Sequence, residues 1–353
     1  MEMKATLALK PGMVIGEDVL DHRGNLVLKK DTVLDKINIQ KLNIASILCV
    51  NILEPEDFKA TYFEKIKVSK TFEKFASLYN EYFLSYKNMM DLFVKENVPM
   101  DNGSLLNMVH KISDPFSKSK ITILDMLAVY ETTEQDFLYT HGVNVALICY
   151  YTAKWFKLTD EESDILTLCG FYYDIGKFKI PSNIINKRGK LTDEEFIMIK
   201  SHAMRGYMMV MNSDIDIRIK AAVLMHHERC DGSGYPQGLT DEKIDKFAKI
   251  ISILDAFDAM TSYRSYRAPL CPFKVIEIFE KDGLGKYDTQ FYLTFLARMV
   301  DEYIGKQVQL SDGQICSVVL INNQKLSKPM VMTADQKYID LSKEKNLSIE
   351  MLV

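Results

Sequence analysis

His226-His227-Glu228-Arg229-Cys230-Asp231-Gly232-Ser233-Gly234-Tyr235-Pro236 is the stretch on which the reading of this chain turns. Each imidazole carries two ring nitrogens that need partners, so two adjacent histidines are costly in an apolar core. The acid and the Gly-rich turn that follow make metal ligands of them. Gly232 and Gly234, two apart and just before Tyr-Pro, let the chain take positive φ and bring its backbone close to a ligand. A polar turn at a helix end accounts for a bare His-His pair, but not for eleven residues in this order.

Working outward, His141 stands in Thr140-His141-Gly142-Val143-Asn144-Val145-Ala146, and Tyr172-Tyr173-Asp174-Ile175-Gly176-Lys177 follows. Next come Ser201-His202-Ala203, then the opening stretch, then Asp255-Ala256-Phe257-Asp258-Ala259-Met260-Thr261-Ser262 and Arg264-Ser265-Tyr266-Arg267. In kind and order, over about residues 134 to 300, this series resembles the signature of the HD-GYP family, bacterial metal-dependent phosphodiesterases that hydrolyse cyclic di-GMP. One position departs from it: Tyr173 stands where the family has the His of its His-Asp pair.

The resemblance implies a mainly α fold, an HD-type all-helical metal-dependent phosphohydrolase domain flanked here by small β-rich modules. It also implies a ligand set. Asp174 would bridge two divalent ions, His202, His226 and His227 would hold one, and His141 with Asp255 the other. Imidazoles and carboxylates suit manganese, iron and zinc, and a pair of such ions suits phosphodiester chemistry. Iron or manganese is expected first, with magnesium, zinc or nickel as alternatives. Tyr173 supplies no nitrogen, and a phenol with a pKa near 10 is a poor ligand unless the metal is a strong Lewis acid such as ferric iron; the His141 and Asp255 side is therefore weakened. Phe137 stands where some members place an acid for a third ion, which argues against a trinuclear site.

By the same resemblance Lys177 would touch a phosphate, Arg264 and Arg267 would grip the phosphates, and Tyr235 would line the pocket. The planar fork of arginine suits that task. The implied reaction is attack of a metal-bound hydroxide on phosphorus, opening cyclic di-GMP to pGpG and on to GMP, with Asp174 and Lys177 as the catalytic side chains. A second reading is a degenerate protein that binds cyclic di-GMP or protein partners without cleaving; a third is a phosphohydrolase acting on a different cyclic dinucleotide. Intact Gly234-Tyr235-Pro236, Lys177 and both arginines favour the first, and Tyr173 the second.

Bulk properties set the frame. The chain has 353 residues, 47% apolar and 26% charged, which is globular composition with room for two or three units. Its net charge of −4 argues against long nucleic acid, which demands a basic face. No apolar run reaches the length of a membrane span, and Met1-Glu2-Met3-Lys4 lacks the apolar core of a signal peptide, so a cytoplasmic protein without membrane insertion is expected. The six cysteines are scattered with no Cys-x-x-Cys, and they read as reduced.

In chain order, residues 1–58 alternate short apolar runs with turns such as Asp21-His22-Arg23-Gly24-Asn25, giving a β-rich and, by family habit, regulatory module with one short helix from Leu34 to Leu42 and a closing strand from Ser46 to Ile52. Residues 59–130 form a helical linker. In it Val68, Phe72, Phe75, Tyr79, Tyr82, Tyr86, Met89 and Phe93 repeat in heptads, a seam for packing within the chain or for a homodimer mate. Residues 131–304 hold the motifs. Thr159 with Glu162 and Thr192 with Glu195 are capping boxes, with Leu191 and Phe196 as a staple; residues 180–189 read as a loop. Asp255 lies inside the apolar helix Lys246 to Thr261, expensive unless paired or metal-bound, with Asp258 one turn on. Residues 305–353 return to strands as a small C-terminal module.

Overall fold

A computed structural model describes residues 2–53, 61–133, 135–187, 189–262 and 270–353. At the N-terminus Glu2–Ala5, Cys49–Leu53 and Val14–Ile15 form an antiparallel sheet with Cys49–Leu53 in the middle, and Val19–Leu20 pairs with Leu26–Leu28 in a hairpin. The Asp21 carboxylate accepts the backbone N–H groups of Arg23 and Asn25, each at 2.8 Å, which closes the hairpin turn. The short helix runs Lys36–Ile44 rather than from Leu34, because Asp35 caps it by accepting from the Asn38 N–H. Leu9, Ile15, Val19, Leu28, Leu34, Leu42, Val50 and Ile52 give this module a core of its own. Its expected boundary near 58 lies outside the described residues.

The long helix runs Lys70–Glu96, from the Ser69 cap to Asn97 in the left-handed region. Its buried stripe is Phe72, Phe75, Tyr79, Phe83, Tyr86, Met90 and Phe93, so Phe83 and Met90 replace the expected Tyr82 and Met89. A straight helix of 3.6 residues per turn drifts off a strict heptad, and Val68 falls outside, on the end of the helix Tyr62–Lys67. The stripe packs into the same core as the motif-bearing helices, so of the two readings of the aromatic seam, packing within the chain is the one this core fills.

The motif region is a stack of helices: Phe137–Ala153, Asp160–Tyr172, Asp193–Lys200, His202–Val210, Ile217–Met225 and Lys246–Thr261. Both expected capping boxes form, and two more, Thr61 with Glu64 and Thr122 with Asp125, open the helices Tyr62–Lys67 and Ile123–Val129. Residues 180–189 are not all loop, since Ser182–Ile185 is a short helix. Phe196 is 49% exposed beneath the Lys200 ammonium, so the staple buries little. The C-terminal strands form one antiparallel sheet in the order Ile349–Leu352, Gln307–Leu310, Ile315–Leu320, Met330–Thr333, Tyr338–Asp340. Its inward residues Val308, Leu310, Cys316, Val318 and Val331 join the core of the helices, and Lys306 pairs with buried Asp125 at 3.1 Å. All six cysteines are free. Among the described residues no helix is long and apolar enough to cross a membrane.

Phe137–Ala153 and Asp160–Tyr172 meet where Gly170 faces Ala146. A Cβ on Gly170 would lie 2.6 Å from the Ala146 Cα. Gly170→Ala should lower the apparent melting temperature, the overpacking costing about 1–3 kcal/mol, whereas Gly103→Ala, whose nearest neighbour is a side-chain atom at 3.4 Å, should leave it nearly unchanged in a thermal scan.

Candidate metal centre

Helix ends build the site, because that is where the chain can change direction and still hold a side chain rigidly. Tyr173 closes Asp160–Tyr172, and Asp174 opens the 3-10 turn Ile175–Lys179. His202 begins His202–Val210, and His226 closes Ile217–Met225 with His227 next. His141 sits in the second turn of Phe137–Ala153, and Asp255 and Asp258 in Lys246–Thr261. Gly176 makes this convergence possible, since a Cβ there would lie 1.9 Å from the His202 carbonyl oxygen.

Two corners result. In the first, His202, His226 and His227 each offer a ligand atom, all within 4.8 Å of one another. His202 Nδ1 reaches the Ile199 carbonyl at 2.6 Å, and His226 Nδ1 reaches that of Val223 at 3.0 Å. Both Nδ1 atoms therefore carry the proton, which the hydrogen bonds assign, and both Nε2 atoms present lone pairs. Those two Nε2 atoms face each other at 3.1 Å. Facing lone pairs repel unless a cation lies against both. Asp174 Oδ1 is 3.3 Å from His202 Nε2, and neither buried oxygen of Asp174 receives a hydrogen bond, although the Lys177 ammonium pairs with Oδ2 at 2.5 Å. This donor set fits a divalent ion.

In the second corner, His141 Nε2 is 2.9 Å from Asp255 Oδ1 and its Nδ1 is 2.6 Å from Asp258 Oδ2. The Tyr173 hydroxyl lies 2.7 Å from His141 Nε2 and 3.0 Å from Asp255 Oδ1. Phe137 stacks on the His141 ring, centroids 5.6 Å apart, so an apolar ring occupies the position considered for a third ion's acid. Burial pushes the Tyr173 phenol well up, and the Asp255 charge adds to that.

The signature loop closes over the first corner. Glu228, buried, accepts the backbone N–H groups of Gln237 at 2.7 Å and Leu239 at 2.8 Å, folding the loop back. Gly234 allows this, because a Cβ there would sit 2.4 Å from the Glu228 Cα. Tyr235 then stacks on His227, centroids 4.6 Å apart, with the Lys200 ammonium 5.3 Å above its ring. Arg264 and Arg267 lie outside the described residues. His110 packs tilted against the Tyr150 ring and His22 accepts from Arg23, both apart from the site.

The sequence reading brought His141, Tyr173, Asp174, Lys177, His202, His226, His227, Tyr235 and Asp255 forward, and these come together. It gave no role to Glu228 or Asn144, and only noted Asp258. Asn144 donates to Asp258 Oδ1 at 3.2 Å and accepts from the Tyr79 hydroxyl at 2.7 Å. A polar residue within an apolar helix, as for Asp255, was the available signal.

The two corners differ in charge. Burial, then the neighbouring His202, pushes His226 down to about 4, and burial also lowers His202 and His227. Burial opposes protonation of His141 too, but the hydrogen bonds to Asp255 and Asp258 prevail and raise it to about 9. Lys177 and His202 outweigh burial at Asp174, holding its carboxyl below the usual range.

Residues 125–291 match the model of an HD domain family. The chain is 29% identical over 233 residues to a cyclic di-GMP phosphodiesterase of Pseudomonas aeruginosa, covering 66% of this chain and 56% of that protein. It is 31% identical over 174 residues to the 3'3'-cGAMP-specific phosphodiesterase 1 of Vibrio cholerae, covering 46% and 40%. The chain thus spans about half the length of these curated relatives. Among solved structures an HDG"Y"P protein from Bdellovibrio bacteriovorus superposes with a TM-score of 0.51 at 17% identity, over 83% of this chain and 97% of that one, a likeness of fold.

A histidine whose folded pKa is depressed stabilises the fold above its unfolded pKa, and that contribution is lost as pH falls toward the folded value. His141 has the opposite sign: its contribution is complete below about 6.5 and fades as pH rises through about 9. Metal-free protein should therefore lose stability between pH 6.5 and about 4, on the order of 3 kcal/mol from His226 alone; apparent melting temperatures at stepped pH in chelator check this. By sequence and fold together, residues 125–291 are similar to the HD domain family and share its helical fold.

Proposed function

We propose that this chain is a metal-dependent phosphodiesterase that opens cyclic dinucleotides, cyclic di-GMP first among them. The observation that carries the reading is the pair of facing Nε2 lone pairs on His202 and His226 beside the buried Asp174 carboxylate, whose Oδ1 lies 3.3 Å from His202 Nε2. His202, His226, His227 and Asp174 would hold a divalent ion, iron or manganese. When bound, such an ion lowers the pKa of a water and absorbs charge on phosphoryl oxygens.

The chain's own groups do the rest. Asp174, kept ionised beside Lys177, orients the attacking water and accepts its hydrogen bond. Lys177 neutralises a phosphate oxygen at the same place, and Tyr235, held flat on His227, walls the pocket that the Glu228-tied loop closes. Arg264 and Arg267 keep their assignment to the phosphates. The likeness to phosphodiesterases acting on cyclic di-GMP and on 3'3'-cGAMP supports the substrate class.

A second reading, binding without cleavage, is favoured by the Tyr173 hydroxyl lodged between His141 and Asp255. Chromatography of products decides between them. Protein reconstituted with Mn(II) or Fe(II) should convert cyclic di-GMP to its linear dinucleotide, and His226→Ala should cut the rate by roughly 100-fold or more together with its metal content. Saturable binding of intact cyclic di-GMP with no product would establish the second reading instead.

A further inference from the structure

We infer that the centre holds one metal ion per chain, because the Tyr173 hydroxyl occupies the position that a second ion between His141 and Asp255 would take. The inference rests on the reading of His202, His226, His227 and Asp174 as metal ligands, and it replaces the pair of ions that the resemblance implies.

Reach is the first argument. A phenol carries its oxygen further from Cα than an imidazole carries Nε2, by roughly one metal–ligand bond, about 2 Å. Where a histidine at 173 would stop at ligand distance from an ion, the tyrosine oxygen arrives at the ion's own place. It lies at hydrogen-bond length from both remaining ligands of that side, 2.7 Å from His141 Nε2 and 3.0 Å from Asp255 Oδ1.

A comparison of the two corners gives the second. Around His202 and His226 both ring protons point away to carbonyls, and the Nε2 lone pairs converge 3.1 Å apart. Around His141 a carboxylate faces each ring nitrogen, so the Nε2–H donates to Asp255 Oδ1 and the Tyr173 O–H donates to the same oxygen. The corner lacking a proton wants a cation, whereas the corner with one is closed.

Support from behind completes the argument. Asp258 fixes His141 through Nδ1 at 2.6 Å, and Asp258 in turn accepts from the Ser262 hydroxyl at 2.5 Å and from Asn144 Nδ2 at 3.2 Å. Tyr79 of the long helix donates to Asn144 at 2.7 Å. His141 is thus held in a buried network whose members satisfy one another, and its orientation needs no ion. Asp174 then has no second ion to bridge to, and its two oxygens serve the single ion and Lys177.

Elemental analysis after reconstitution with excess Mn(II), together with the Mn(II) paramagnetic resonance spectrum, tests this on the full chain. The wild-type protein should carry one ion with an uncoupled six-line signal. Tyr173→His should carry two with a spin-coupled signal. Tyr173→Phe and His141→Ala should each keep one, and His226→Ala none, with circular dichroism confirming the fold of each. Two ions in the wild type overturn the inference and leave the proposed function standing. So does loss of the ion in Tyr173→Phe, or a visible charge-transfer band in iron-loaded wild type that Tyr173→Phe abolishes, since either makes the tyrosine a ligand. No ion at all in the wild type defeats the metal-ligand reading as well.

Discussion

The site depends on a contact between two stretches of backbone. Gly176 lies against the carbonyl of His202, so close that no side chain fits, and Gly206 on the next turn has its own Cβ position 3.1 Å from the Gly176 nitrogen and 2.9 Å from Val223 Cγ1. Three pieces of chain are thereby locked together: the turn with Asp174 and Lys177, the helix led by His202, and the helix ended by His226. Without this approach the carboxylate and the imidazoles would be separated by at least the thickness of a side chain. The imidazoles and the carboxylate are placed by the absence of side chains nearby as much as by their own positions.

Collecting that many ionisable groups in a buried space has an electrostatic cost, and the chain meets it in two ways. Imidazoles kept neutral need no counter-charge, which covers His202, His226 and His227. His141 is instead surrounded by acceptors, Asp255 and Asp258, and by the Tyr173 hydroxyl. Neighbouring histidines in one pocket thus have opposite protonation preferences: burial keeps His202, His226 and His227 neutral, whereas the carboxylates of Asp255 and Asp258 hold a proton on His141.

Much of this was legible before any coordinates. The His-His stretch, the interior Asp255 and the capping boxes stand out because each violates or satisfies a local rule strongly, and local rules are what a sequence displays. The heptad reading of the long helix went astray at Tyr82 and Met89 because a chain rich in aromatics offers an apolar residue at either neighbouring position, and only the packing partner selects Phe83 and Met90. Glu228 stands out in the sequence only as the acid after the two histidines; its importance lies in two backbone N–H groups nine and eleven residues on, a relation that no periodicity encodes. The tyrosine at 173 was visible as a missing nitrogen. That its oxygen would fill the space left behind is a matter of side-chain length in three dimensions.

The two β modules look alike in the sequence but are joined to the helices in different ways. The N-terminal one has a closed core of eight buried apolar residues, and it meets the helices at the Lys67 ammonium, shared between Asp35 and Glu131. The C-terminal sheet has no core apart from that of the helices. In evolutionary terms the first is a cartridge: recombination ahead of the helices can replace it without reopening the core behind it. The second is a wall of the building, and a gene that lost it would have to invent another cover for the same apolar face.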